Sequence, residues 1–232
     1  MSLTLSSARP AKRAPGSDVR PKRIRYTLPV LLGDLPPGEK WRNFELKALG
    51  LRDFAGVRID QQLNPFDLAG FANLIVIRFD QVTGLSEKAR EHLLGSASEK
   101  WSGGACSLPN GMKLVILNPT HGRARTNATL MEEICHVFLG HQPNRLSIVT
   151  RDDRGKVMNR DYRKTDEEEA YAVGAAALVP YASLKRNLLQ GKTSKEIALH
   201  FGVSPELVEY RMKVTRLWHE HKDLSRKGVK AT

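Results

Sequence analysis

The chain has 232 residues, 41% hydrophobic and 27% charged, which suits a globular protein of one sizeable domain with a small appendage. No apolar run approaches the roughly 20 residues of a membrane span, and two cysteines, Cys106 and Cys135, are too few for a disulfide framework, so a cytoplasmic protein with no secretory signal is expected. The net charge of +12 sits at the ends: residues 1–25 hold seven Lys/Arg against one acid, 211–232 hold seven against two, and the stretch between is near neutral.

In chain order, residues 1–28 contain Pro10, Pro15 and Pro21 with no apolar periodicity and read as a disordered basic arm. Such an arm, like the basic tail over 219–232, attracts nucleic acid or acidic proteins without sequence preference. Asn64-Pro65 predicts a helix start, with Asn64 as the cap and Pro65 in the first turn, running through Phe71. Leu74 to Phe79 is a β-branched run that predicts a strand. A short helix is expected over 86–95, a turn at Trp101-Ser102-Gly103-Gly104, and a second strand over 112–117. Residues 145–151 and 155–160 flank Asp152-Asp153-Arg154-Gly155 and suggest a hairpin. The remaining elements read as helices, at about 127–141, 165–179, 182–190, 194–201 and 205–218.

Two of these helices carry acids where a core is expected. Between Leu130 and Gly140, every residue except Glu132, Glu133 and His136 is apolar or glycine. A helix apolar on nearly every side is buried, and a buried charge costs several kcal/mol unless it is paired or binds a metal. Glu132 and His136 are four apart and share a face. The second helix reads Asp166-Glu167-Glu168-Glu169-Ala170 and then small residues to Pro180. Glu167 and Glu168 suit a helix's first turn, where acids oppose the dipole. Glu169 is in phase with Val173, Ala176 and Pro180, on an apolar face. If the two helices pack together, Glu169 meets Glu132 and His136 and the three form a metal site with a position open to water. Glu133, on a neighbouring face, could then take a proton from that water, as in the His-Glu-x-x-His helix.

The ordered set Pro65-Phe66-Asp67-Leu68-Ala69, Trp101-Ser102-Gly103, the strand ending in Asn118, Arg125 through Leu130, Glu-Ile-Cys-His with Leu139-Gly140-His141, and Glu169-Ala170 followed by Ala175 to Pro180 resembles the ImmA/IrrE family of metallo-endopeptidases. The resemblance implies an α+β fold: a compact zincin-like metalloprotease domain with a small mixed sheet over 29–180, followed by a helix-turn-helix-like helical segment over 181–218. It also implies that His136 and Glu169 bind zinc, that Glu133 is the general base, and that the substrate is a DNA-binding repressor. The sequence departs from the family pattern where Glu132 stands in place of the first zinc-binding histidine. Two outcomes are open. A carboxylate can ligate zinc, but two carboxylates neutralise the ion and activate water less, giving a weaker peptidase or a preference for the harder Mn²⁺. Alternatively the fold survives as a weak or inactive regulator that binds a repressor or DNA.

His141 lies off the His136 face and reads as a helix-end histidine, and Cys135 as a small apolar core residue. In the C-terminal segment, Thr193 and Glu196 make a capping box, Gly202-Val203-Ser204 a turn, and Ser204-Pro205 a second helix start. Helix-turn-helix proteins read DNA through the start of the second helix, and here that start carries Glu206 and Glu209, which oppose phosphate. Arg211, Lys213 and Arg216 lie further along and are the candidate DNA-backbone contacts.

Overall fold

The computed structural model describes residues 32–72, 74–108, 112–141 and 164–218. The basic arm, the basic tail and the hairpin expected over 145–160 lie outside these residues. Among them are eight α-helices and one three-stranded mixed sheet.

Helix α1 (Glu39–Phe54) opens the described fold. The sequence reading assigned nothing here, although Phe44, Ala48 and Leu51 recur at helical spacing and are buried. Helix α2 (Pro65–Phe71) begins as expected, with the Asn64 side chain accepting from the Phe66 N–H at 3.3 Å. Strand β1 (Leu74–Arg78) follows, then α3 (Glu87–Leu94), capped by Ser86.

The Trp101–Gly104 turn needs correcting: strand β2 (Gly103–Ser107) starts within it. A Gly-Gly-Ala-Cys-Ser run has low β propensity, and pairing with β3 (Lys113–Leu117) overrides it. Gly103 is required by close approach, because a Cβ there would lie 2.8 Å from Thr129 Cγ2 and 3.1 Å from the Ile116 carbonyl oxygen. The strand order is β1-β3-β2, with β1 parallel and β2 antiparallel to β3. Val115 and Leu117 alternate as the buried side of β3.

Helix α4 (Arg123–Phe138) packs on the sheet and α2 on one side and on α5 (Lys164–Leu178) on the other. Helix α5 in turn packs on α1, so both its broad faces are covered. From Ala172 to Val179 every residue is buried. Gly174 marks the closest approach to α4: a Cβ there would sit 3.4 Å from Met131 Cγ and 3.5 Å from Cys135 Sγ.

Helix α6 (Tyr181–Leu189) leads to α7 (Ser194–Phe201) and α8 (Pro205–Val214). The Thr193–Glu196 capping box is present, Gly202 turns the chain at φ 67°, and Ser204 caps α8 through the Leu207 N–H at 3.2 Å. The α7–α8 pair is tied to the rest by a buried ion pair. The Arg211 guanidinium donates to Glu45 of α1 at 2.5 Å and to the Val179 carbonyl at 3.1 Å. The other Glu45 oxygen accepts from the Tyr181 N–H at 2.7 Å. Both charged side chains are 1% exposed.

Candidate metal centre

Helix α4 delivers Glu132 and His136 to one spot because they lie one turn apart. The third group comes from the first turn of α5, and it is Glu167. One ligand atom each from Glu132, His136 and Glu167 lies within 4.8 Å of the others. His136 Nε2 is 3.8 Å from a Glu167 oxygen, and the imidazole is only 4% exposed.

Glu169, the expected third ligand, points elsewhere. It pairs with Lys47 of α1 and meets His141 Nε2 at 3.3 Å. The reason lies in the packing of α5. Val173 and Ala176, which share the Glu169 phase, are buried, but so is the rest of the helix. Glu167 is in phase with Ala170 and Gly174, the small residues of the α4 interface. That stripe of smallest residues was the signal that would have selected Glu167 from sequence.

The electrostatics suit a cation. Burial, and then the charges of Glu167 and Glu133, push the Glu132 carboxyl up to about 7. Three carboxylates and one imidazole thus crowd a half-buried spot that a divalent ion would neutralise. Burial pushes the Cys135 thiol upward as well, so it is an inert core group. Glu169 is held below the ordinary carboxylate range: burial pushes it up, and hydrogen bonds from Lys47 and His141 outweigh that. His121 contacts the Ser98 carbonyl at 3.2 Å and Asn118 at 3.4 Å, so it braces the loop before α4.

The group forms part of the wall of a cleft of about 790 Å³. Glu133 and Tyr171 line it beside the three ligand candidates, and Gly103 of β2 contributes to its wall. Ser204, Glu206 and Leu207 line it too, so the start of α8 faces the cleft. Of the three candidate DNA contacts, Arg211 is a core ion-pair residue and needs correcting, while Lys213 and Arg216 are exposed.

No helix of the described residues is long and apolar enough to cross a membrane. No curated protein sequence matches the chain. A solved structure of a Mycobacterium tuberculosis transcriptional regulator aligns at 16% identity and TM-score 0.47, over 74% of this chain and 47% of that one, so this chain spans about half its length. The model of a peptidase family described as the IrrE N-terminal-like domain matches residues 87–213. With the match covering more than half of the sequence and all of the α4–α5 site, the chain belongs to the IrrE N-terminal-like domain family.

Proposed function

We propose that the chain is a metal-dependent endopeptidase that cuts an extended segment of a regulatory protein, a DNA-binding repressor being the substrate the family resemblance implies. The observation that carries this is the convergence of Glu132, His136 and Glu167 within 4.8 Å beside Glu133, in one cleft. These donors fit zinc, or Mn²⁺ as the harder alternative favoured by two carboxylates. When bound, the ion supplies Lewis-acid activation of a water and of the scissile carbonyl. Glu169 does not join this ligand set. It acts from behind, through His141.

The chain's own residues account for the remaining chemistry. Glu133 takes the proton from the attacking water and returns it to the leaving amine. Gly103 puts strand β2 on the cleft wall, so an extended peptide can add alongside it by main-chain hydrogen bonding. The catalytic unit over 29–180 is completed by the segment over 181–218, which walls the cleft through Ser204 and Glu206. Exposed Lys213 and Arg216 support a second reading, weak DNA binding by α7–α8 with the basic ends. It is checked by salt-dependent DNA affinity in Lys213→Ala/Arg216→Ala.

Elemental analysis of the purified chain tests the main reading. One zinc or manganese per chain is expected, lost in His136→Ala and in Glu167→Ala, with chelator-sensitive cleavage of a co-expressed repressor. A parent protein that takes up neither metal on titration overturns it.

A further inference from the structure

His136 has two ring nitrogens with different surroundings. Nε2 is the one that approaches Glu167. Nδ1 lies 3.1 Å from Nδ1 of His141, and the two rings meet edge to face with centroids 5.1 Å apart. The second nitrogen of His141, Nε2, reaches a Glu169 oxygen at 3.3 Å, and the other Glu169 oxygen pairs with Lys47. Four side chains from α1, α4 with its C-terminal extension, and α5 therefore form a line ending at the metal centre.

Proton bookkeeping along this line has one consistent solution for neutral imidazoles. The Lys47 ammonium can only donate, and an ionised Glu169 can only accept. The His141 nitrogen facing Glu169 must then carry the hydrogen, which leaves His141 Nδ1 bare. A bare Nδ1 accepts, so His136 Nδ1 must carry a hydrogen and donate it. The remaining nitrogen of His136, Nε2, is left with a free lone pair directed to Glu132 and Glu167. That is the tautomer a metal ligand requires.

We propose that His141 and Glu169, anchored by Lys47, are positioning residues that set the His136 tautomer and aim its Nε2 at the metal. This rests on the metal-centre reading above for its purpose, but the tautomer itself belongs to the metal-free chain. Glu169 thereby keeps a part in the site without being a ligand. The line also explains why a histidine five residues beyond His136 turns back on it: the backbone of His141 donates to the His136 carbonyl at 3.0 Å, closing the helix end so that the two rings meet.

The test uses the full chain, ¹⁵N-labelled and chelator-treated, at pH 8. Long-range proton–nitrogen spectra report which nitrogen of His136 is protonated, with His136→Gln giving the assignment. The parent is expected to show hydrogen on Nδ1. His141→Leu should move His136 toward the Nε2–H form. His141→Asn, whose side-chain oxygen can accept from Nδ1–H, should keep the parent form. In competition with a chromophoric chelator, His141→Leu and Glu169→Leu should bind zinc roughly 10–100-fold more weakly, and His141→Asn within a few-fold of the parent. A parent with hydrogen on Nε2, or a His141→Leu protein with parental tautomer and zinc affinity, overturns the proposal. Should the parent bind no zinc, the metal-centre reading falls, while the tautomer spectra still decide this one.

Discussion

Replacing Glu132 by glutamine should make the metal-free protein more stable at pH 8 and leave it unable to hold a metal. In the folded chain the Glu132 carboxyl is raised from an ordinary 4.5 to about 7, by burial and then by Glu167 and Glu133. Below pH 4 it is protonated in folded and unfolded chains alike and contributes no difference. Between 4.5 and 7 the unfolded chain releases the proton and the folded chain retains it, so stability falls as pH rises, and the full deficit stands above 7. At about 1.4 kcal/mol per pH unit the gap is worth about 3 kcal/mol, trimmed to about 2–3 by solvent at the half-buried carboxyl. A neutral Gln removes the deficit and relieves Glu133 and Glu167, which face the same spot with His136. With a urea slope of about 1–3 kcal/mol per molar, the unfolding midpoint of chelator-treated Glu132→Gln should rise by about 1–2 M at pH 8, with little change at pH 4. A midpoint equal to or below the parent's at pH 8 would refute the argument, because the carboxylates would then not be crowding one another.

Other substitutions probe neighbouring parts of the argument. Glu132→His exchanges one carboxylate for an imidazole and should tighten zinc by about tenfold, about 1.4 kcal/mol, in the same chelator competition. Unchanged affinity would mean that Glu132 does not touch the ion. Gly174→Ala should be nearly neutral because its Cβ would meet Met131 and Cys135 at ordinary contact distances. Gly174→Leu should cost about 1–3 kcal/mol and reduce zinc uptake by forcing α4 and α5 apart. Thermal midpoints and zinc titration of both variants check this. Arg211→Ala should strand the buried Glu45 carboxylate at a cost of about 3–5 kcal/mol, with Glu45→Leu/Arg211→Met recovering much of it. Urea unfolding of the three proteins decides whether this pair holds the C-terminal helices.

Much of the local structure was legible because its signals are short-range. Asn64-Pro65, Thr193 with Glu196, and Ser204-Pro205 each set a helix start where the structure has one. The alternating and β-branched runs gave β1 and β3. Glu132 and His136 were legible as a pair because four residues on a helix guarantee a shared face. The third carboxylate was not, because periodicity identifies an apolar face only when the opposite face is polar. Helix α5 is covered by α1 and α4 at once, and the phase of Val173 and Ala176 pointed to a real core on the wrong neighbour. Likewise Arg211 looks like a surface cation in sequence, since its partner Glu45 lies 166 positions away. Strand β2 is set by pairing with β3 and by the tight passage of Gly103 under Thr129, neither of which composition reveals.

The handshake between Glu45 and Arg211 has a practical corollary for anyone dissecting the chain. A fragment starting at α2 would keep every proposed ligand yet uncover the side of α5 that carries Val173 and Ala176, remove Lys47 from Glu169, and leave a guanidinium buried beside nothing of opposite sign. A fragment ending before α8 would do the same to Glu45 and open one wall of the cleft. The smallest piece that can stand alone is therefore larger than the piece that holds the chemistry, and neither end can be trimmed to the metal-bearing helices without loosening them.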